Sequence, residues 1–224
     1  MKQSLFTMEH ARQLTADTYE LVLSGDTSAI TAPGQFVNIQ LPGKFLRRPI
    51  SICNWTKDAL LLLVRVVGEG THDLVRCVPG TELDVLSGLG NGFDLAKGGA
   101  HPILLGGGIG IAPLYGLAQR MLEAGIAPTV GLGFRSGGDA FYLEEFGKLG
   151  CRLMVATEDG SLGTKGFVTD LARHVPECGY AFVCGPTPML KAVAEVAKEY
   201  GVRCQVSLEE RMGCGIGACL VCAC

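Results

Sequence analysis

Near residue 224 three cysteines, Cys214, Cys219 and Cys222, are separated by gaps of four and then two residues, with glycine at 213, 215 and 217. That is the thiolate spacing of a plant-type [2Fe-2S] site, whose loop has to wrap around the cluster. The glycines can take positive φ and carry backbone N–H groups towards the cluster's sulfides. Zinc, a redox thiol pair and purely structural cysteines are the rivals. Zinc ribbons use two separated pairs, and a thiol-exchange pair needs neither Cys214 nor three glycines, so the spacing favours [2Fe-2S]. A fourth ligand is still required: either Cys224 supplies it, or the sequence is truncated.

The rest of the chain has to carry this loop. Its 224 residues, 48% of them hydrophobic, have room for two modest domains with real cores. No run of about 18 apolar residues offers a spanning helix, and Met1-Lys2-Gln3-Ser4 opens no secretory apolar stretch. The expectation is therefore a cytoplasmic protein. In that compartment ten cysteines are not disulfides, and the scattered Cys53, Cys77, Cys151, Cys178 and Cys204 read as small buried hydrophobes. A net charge of -3 without a basic stripe argues against nucleic acid and anionic membrane as partners.

Residues 1–98 read as short strands, at Thr18 to Leu23, Gln35 to Leu41, Leu60 to Val67 and Glu82 to Leu86. Pro33-Gly34, Pro42-Gly43 and Pro79-Gly80 supply the reversals, and one short helix is expected over Thr71 to Val78. This pattern favours an antiparallel β-barrel. After Gly98-Gly99 the rhythm becomes strand, glycine loop, helix, strand. Strands are expected at Pro102 to Leu105, Thr129 to Phe134, Arg152 to Thr157 and Ala181 to Cys184, and helices at Pro113 to Ala124, Val168 to Arg173 and Met189 to Tyr200. The expected organisation is α/β plus all-β: a barrel over 1–98, a parallel-sheet α/β domain over 99–207, and the cysteine loop over 208–224 as an appended piece.

Five stretches besides the cysteine loop can carry chemistry. Gly106-Gly107-Gly108-Ile109-Gly110-Ile111-Ala112-Pro113 follows a strand and opens a helix, an arrangement that fits a dinucleotide phosphate or simply a tight turn. Pro113 stands where a strict fingerprint has its third glycine. Arg135 at the next strand end can touch a 2′-phosphate or sit in solvent, so NAD and NADP both stay open. Arg47-Arg48-Pro49-Ile50-Ser51 suits a pyrophosphate, or is a pair of surface arginines before an edge strand. Arg65-Val66-Val67-Gly68-Glu69-Gly70-Thr71 adds a second anion candidate, with Thr71 as helix N-cap. Cys184-Gly185-Pro186 ends a strand at the carboxyl edge, where Cys184 is either nicotinamide-proximal or a buried thiol. The polar loop Thr157 to Gly163 is a ribose-binding loop or an ordinary turn.

Taken in order, these motifs resemble the ferredoxin-reductase superfamily. Arg48-Pro49-Ile50-Ser51 resembles its flavin signature, Gly108 to Pro113 its nicotinamide loop, and Cys184-Gly185-Pro186 its late strand-end motif. The stretch Glu209-Glu210-Arg211-Met212-Gly213-Cys214 through Cys222 is similar to the electron-transfer subunits of bacterial class 1B dihydroorotate dehydrogenases. The resemblance implies a FAD-binding barrel, an NAD-binding domain and a C-terminal [2Fe-2S] loop. It implies FAD contacts from Arg48, Pro49, Ile50, Ser51, Arg65, Val66, Val67, Gly70 and Thr71. The NAD contacts it implies come from Gly107, Gly108, Gly110, Ile111, Ala112, Pro113, Cys184, Gly185 and Pro186, and the cluster ligands from Cys214, Cys219 and Cys222. Family members place the fourth cysteine several residues further on, so Cys224 is expected not to be that ligand, and the natural chain is expected to continue.

A hydride carries two electrons and a cluster accepts one, so a flavin has to mediate between them. The implied activity takes electrons from a partner FMN-containing dihydroorotate dehydrogenase subunit through [2Fe-2S] and FAD to NAD+, in a heterotetramer of two of each subunit. Reductase subunits of a sulfide dehydrogenase, a hydrogenase or an NAD(P)H:ferredoxin transhydrogenase share the same three parts. A non-catalytic redox-sensing flavin module is the alternative from another class.

Overall fold

The computed structural model describes residues 1–210, 212–219, 221 and 222. The chain divides into two compact units, Met1–Gly92 with Glu210–Cys224, and Phe93–Glu209. The cysteine tail is thus grouped with the first unit. Arg211 and Cys224 lie outside the described residues, and so does the expectation about Cys224 as a ligand.

In the first unit, strands β1 (Lys2–Gln13), β2 (Thr18–Gly25), β3 (Phe36–Gln40), β4 (Arg48–Trp55), β5 (Ala59–Arg65) and β6 (Glu82–Leu89) close an antiparallel barrel in the order β1-β2-β5-β4-β3-β6. Alternating apolar residues point inwards, among them Leu21 and Leu23, Val37 and Ile39, Leu60 and Leu62. Gly34, Gly43 and Gly80 take φ of 89°, 70° and 88°, so each Pro-Gly pair makes its expected reversal. β1 closes the ring by pairing with both β2 and β6. It was not expected as a strand, because Phe6 and Met8 are its only fully buried side chains and its other residues are largely polar.

Helix α1 spans Glu69–Val75, two residues earlier than expected. Gly68 is its N-cap and Thr71 is the third helical residue, which corrects the reading of Thr71 as the cap. The Thr71 hydroxyl still serves the helix start. It accepts from the N–H of Val67 at 2.9 Å and of Gly68 at 3.3 Å, reaching back across the first turn as capping-box residues do.

The second unit is a parallel sheet flanked by helices. In chain order it comprises β7 (Ile103–Gly107), α2 (Ala112–Glu123), β8 (Thr129–Phe134), α3 (Leu143–Leu149), β9 (Arg152–Thr157), β10 (Thr164–Lys165), α4 (Val168–Leu171), β11 (Tyr180–Cys184), α5 (Thr187–Glu199) and β12 (Arg203–Ser207). The sheet order is β10-β9-β8-β7-β11-β12, and every pairing is parallel. All five residues of β7 and of β11 are buried, as expected of central strands covered on both faces. The expected helix over Val168 to Arg173 shortens to α4 and continues as a 3₁₀ turn to Glu177, where Pro176 sits.

Cys53 and Cys178 are buried as expected, whereas Cys77, Cys151 and Cys204 are only partly covered; all five are free thiols. Among the described residues no helix is long and apolar enough to cross a membrane.

Candidate functional site

The two arginines that open β4 have different jobs. Arg47 belongs to the barrel: its Nη2 donates to Asp84 Oδ2 at 2.9 Å, and its Nη1 donates to the carbonyls of Asn38 and Asp84 at 3.2 and 3.0 Å. The Arg47 guanidinium holds the Asp84 carboxyl below the usual carboxylate range. Arg48 has no such acid. It donates to the carbonyls of Leu46 at 2.6 Å and Arg47 at 3.4 Å, and among the described residues no carboxylate pairs with it.

The Arg48 guanidinium lies where a side chain on Gly70 would begin. A side chain there would displace the guanidinium. The contact brings the Arg48-Pro49-Ile50-Ser51 signature and the first turn of α1 to one place, a cation beside backbone N–H groups held in position by Thr71. Pro49 is exposed, Ile50 buried in the barrel and Ser51 half-buried. Arg65, unlike Arg48, has a carboxylate partner: its Nε donates to Asp17 Oδ2 at 2.8 Å. Burial opposes ionisation of Asp17, but hydrogen bonds from Arg65 and Thr18 outweigh it and hold the carboxyl low. Val66 and Val67 follow the end of β5, and Val67 is 80% exposed.

In the second unit the strand order reverses between β7 and β11, the crevice at which open α/β sheets bind ligands. Both sequence motifs end there. Gly106 pairs with Cys184 across the two strands. A Cβ on Gly110 would stand 2.6 Å from the carbonyl carbon and oxygen of Cys184, and one on Gly107 would stand 2.5 Å from Met189 Sδ. Gly108, at φ 54°, has open space on its side-chain face. Gly108–Ile111 forms a 3₁₀ turn that runs into α2, where Ala112 and Pro113 are the first two residues. Pro113 thus occupies a position where its missing N–H costs nothing. The result is a helix N-terminus with close backbone access, the geometry of a phosphate site.

Gly185, at φ 159°, follows Cys184, and Pro186 caps α5. The Cys184 side chain is 1% exposed, and burial, with the Glu209 carboxylate adding to it, pushes the thiol up to about 12. It is a neutral, protonated group at the strand end. Glu209, the first residue of the tail stretch, thus also bears on Cys184. Arg135 pairs with Asp139 at 3.3 Å, and the Ser136 hydroxyl donates to the same carboxylate at 2.8 Å. In the Thr157–Gly163 loop, Ser161 Oγ accepts from Gly137 N–H at 2.7 Å, tying that loop to the turn after β8.

In the tail, Cys214 and Cys219 come together. Cys214 Sγ accepts from the N–H groups of Ile216 and Cys219, and Cys219 Sγ accepts from Cys214 N–H, each at 3.4 Å. The Ile216 and Cys219 N–H groups pull the Cys214 thiol down to about 6. Gly215 and Gly217 take φ of 72° and 79°; Gly213 is not in the left-handed region but leaves room for Cys219 Sγ, 3.1 Å from where its Cβ would be. Cys222 is half-buried, and among the described residues no three His, Cys, Asp or Glu side chains converge as a metal site. Thiolates fed by backbone N–H donors are the donor chemistry an iron-sulfur cluster needs.

Asn38 is the residue that sequence signals did not single out. It lies in β3 opposite Pro49 and is 1% exposed, and among the described residues its Oδ1 has no hydrogen-bond partner. Its Nδ2 faces Gly215, 2.6 Å from where a Cβ would be. The one available sign was a polar residue between Val37 and Ile39 in a strand whose three central positions are all buried.

The oxidoreductase NAD-binding domain family matches residues 104–195, the span of the β7 to α5 geometry. The dihydroorotate dehydrogenase B (NAD(+)) electron transfer subunit of Shouchella clausii is 44% identical over the whole of this chain and 88% of its own length. That of a Geobacillus species is 43% identical, with 100% and 90% covered. Among solved structures, a chain of the NADH-dependent reduced ferredoxin-NADP oxidoreductase superposes with a TM-score of 0.88 at 32% identity, covering 98% of this chain and 81% of that one. The chain belongs to the family of dihydroorotate dehydrogenase B (NAD(+)) electron transfer subunits.

Proposed function

We propose that this chain takes electrons from a catalytic dihydroorotate dehydrogenase subunit carrying FMN and delivers them through a [2Fe-2S] cluster and FAD to NAD+. The observation that carries the reading is the presence in one chain of three separate cradles: Arg48 against Gly70, the β7 glycine loop against Cys184, and the paired sulfurs of Cys214 and Cys219. When bound, FAD supplies the exchange between electron pairs at nicotinamide and single electrons at the cluster.

The chain's own residues bind, orient and tune. Arg48 supplies the unneutralised cation for a pyrophosphate, and Thr71 fixes the turn that directs α1 N–H groups at it. Pro49, Ile50 and Ser51 lay β4 beside the flavin, and Arg65, Val66, Val67 and Gly70 form the facing edge. Gly107, Gly108, Gly110 and Ile111 line the site for the NAD phosphates with backbone N–H groups, and Ala112 and Pro113 open the helix behind them. Cys184 with Gly185 and Pro186 borders the nicotinamide position, and the protonated Cys184 thiol adds no charge to it. Cys214, Cys219 and Cys222 are cluster ligands. The working assembly is a heterotetramer of two subunits of each kind in the cytoplasm, with neither membrane nor nucleic acid as partner.

Co-purification of the full chain with its catalytic partner tests this. The expected result is stoichiometric FAD, cluster absorbance and dihydroorotate-dependent NAD+ reduction. The 32% identity to the ferredoxin-NADP oxidoreductase chain favours one second reading, NAD(P)H:ferredoxin transhydrogenase. Ferredoxin turnover without dihydroorotate oxidation would select it.

A further inference from the structure

We infer that Asn38 is a positioning residue for the cysteine loop: its buried side-chain amide holds Gly215 and sets the reduction potential of the cluster that Cys214 and Cys219 bind. The inference rests on the proposed reading of that loop.

Three observations converge. First, Asn38 is 1% exposed, and among the described residues its Oδ1 has no hydrogen-bond partner. A buried amide left partly unsatisfied is costly, so something other than the barrel's own hydrogen bonding accounts for an asparagine in a position flanked by buried Val37 and Ile39. Second, the Nδ2 end is aimed at the loop. It stands 2.6 Å from the place of a Gly215 Cβ, and Gly215, at φ 72°, lies next to the ligand Cys214. Any side chain at 215 would collide with the amide, so the two residues are fitted to each other. Third, the Asn38 backbone is fixed from the flavin side. Arg47 Nη1 donates to its carbonyl at 3.2 Å, and its cross-strand neighbour is Pro49 of the flavin signature.

An amide N–H end held against a cluster loop stabilises the reduced, more negative cluster over the oxidised one, as hydrogen bonding around cluster sulfurs does generally. Its removal therefore lowers the potential. A carboxylate of the same shape lowers it further, because negative charge opposes reduction.

The test uses the complex of the full chain with its catalytic partner, comparing wild type with Asn38→Asp, which keeps the side chain's shape, and Asn38→Leu, which removes both polar ends. A redox titration followed by EPR reads the cluster, while FAD content and the flavin potential are read separately by absorbance. Asn38→Leu is expected to shift the cluster at fixed potential about tenfold towards the oxidised form, ~59 mV for one electron, and Asn38→Asp further in the same direction. Their g values should change too, with FAD content and flavin potential as in wild type. An unchanged cluster potential and EPR spectrum in an Asn38→Asp complex with full FAD would overturn the inference. So would Asn38→Leu losing FAD while Asn38→Asp behaves as wild type, which assigns Asn38 to the barrel alone. A wild-type complex with no cluster signal overturns the parent reading, a failure told apart from the other two by the control itself.

Discussion

Gly110 packs backbone to backbone on Cys184: a Cβ on the glycine would stand 2.6 Å from the carbonyl carbon and oxygen of the cysteine. The glycine loop after β7 and the strand end beside it are therefore one fitted unit.

Gly110→Ala forces the two apart. Overpacking of this kind costs about 1–3 kcal/mol, and because the displaced element is the phosphate loop, weaker NAD binding is expected along with lower stability. KM for NADH in dye reduction should rise at least several-fold with FAD content unchanged. An unaltered KM would show that the loop tolerates the shift.

Arg47 and Arg48 should separate on substitution. Arg47→Met breaks the Asp84 pair and two carbonyl contacts, which predicts a stability loss of about 1–3 kcal/mol with FAD affinity largely kept. Asp84 is held low in the folded barrel, so its contribution is present above its unfolded pKa and fades as pH falls through the depressed folded value. The wild-type advantage over Arg47→Met should accordingly shrink in acid. Arg48→Met should do the reverse, releasing FAD on dilution while the chain's denaturation midpoint barely moves.

The Cys184 thiol is pushed up to about 12 from an ordinary value of 9.0. Between those values the unfolded chain has lost the proton that the folded chain keeps. Stability contributed by the neutral thiol is thus complete below pH 9 and lost as pH rises towards 12, at about 1.4 kcal/mol per pH unit. Cys184→Ala should flatten that alkaline decline. In the native protein Cys184 should also resist iodoacetamide at pH 8 until denaturant is added, as mass spectrometry of the alkylated peptide would show.

Cys214→Ser removes a thiolate that two backbone N–H groups favour. Cluster absorbance and dihydroorotate-linked NAD+ reduction should disappear, while FAD content and NADH-dependent dye reduction remain. Retention of the cluster would reassign the ligand set.

Much of this was legible because local chemistry wrote it. Pro-Gly turns, the glycine run before α2 and the cysteine spacing each act within a few residues, and the barrel, the parallel sheet and the tail follow from them. β1 was not legible, since a strand whose partners are β2 and β6 needs only Phe6 and Met8 inside, and its polar outward residues mask the period. The early start of α1 was hidden because Gly68 caps without a side chain, leaving Thr71 as the only visible signal. The cradles themselves depend on distant pairs, Arg48 with Gly70 and Gly110 with Cys184, and Asn38 gains its meaning only when Gly215 is set against it. No window of sequence contains both members of such pairs.

The grouping of Glu210–Cys224 with Met1–Gly92 has a consequence for biosynthesis. The surface that receives the cysteine loop is made first, and its counterpart emerges only after the whole of Phe93–Glu209 has been translated, a wait of roughly 6–25 s at ordinary elongation rates. The cluster site is therefore incomplete until the sheet unit has been made. A ribosome that stalls in the sheet unit leaves a nascent chain without the cysteines that hold the cluster.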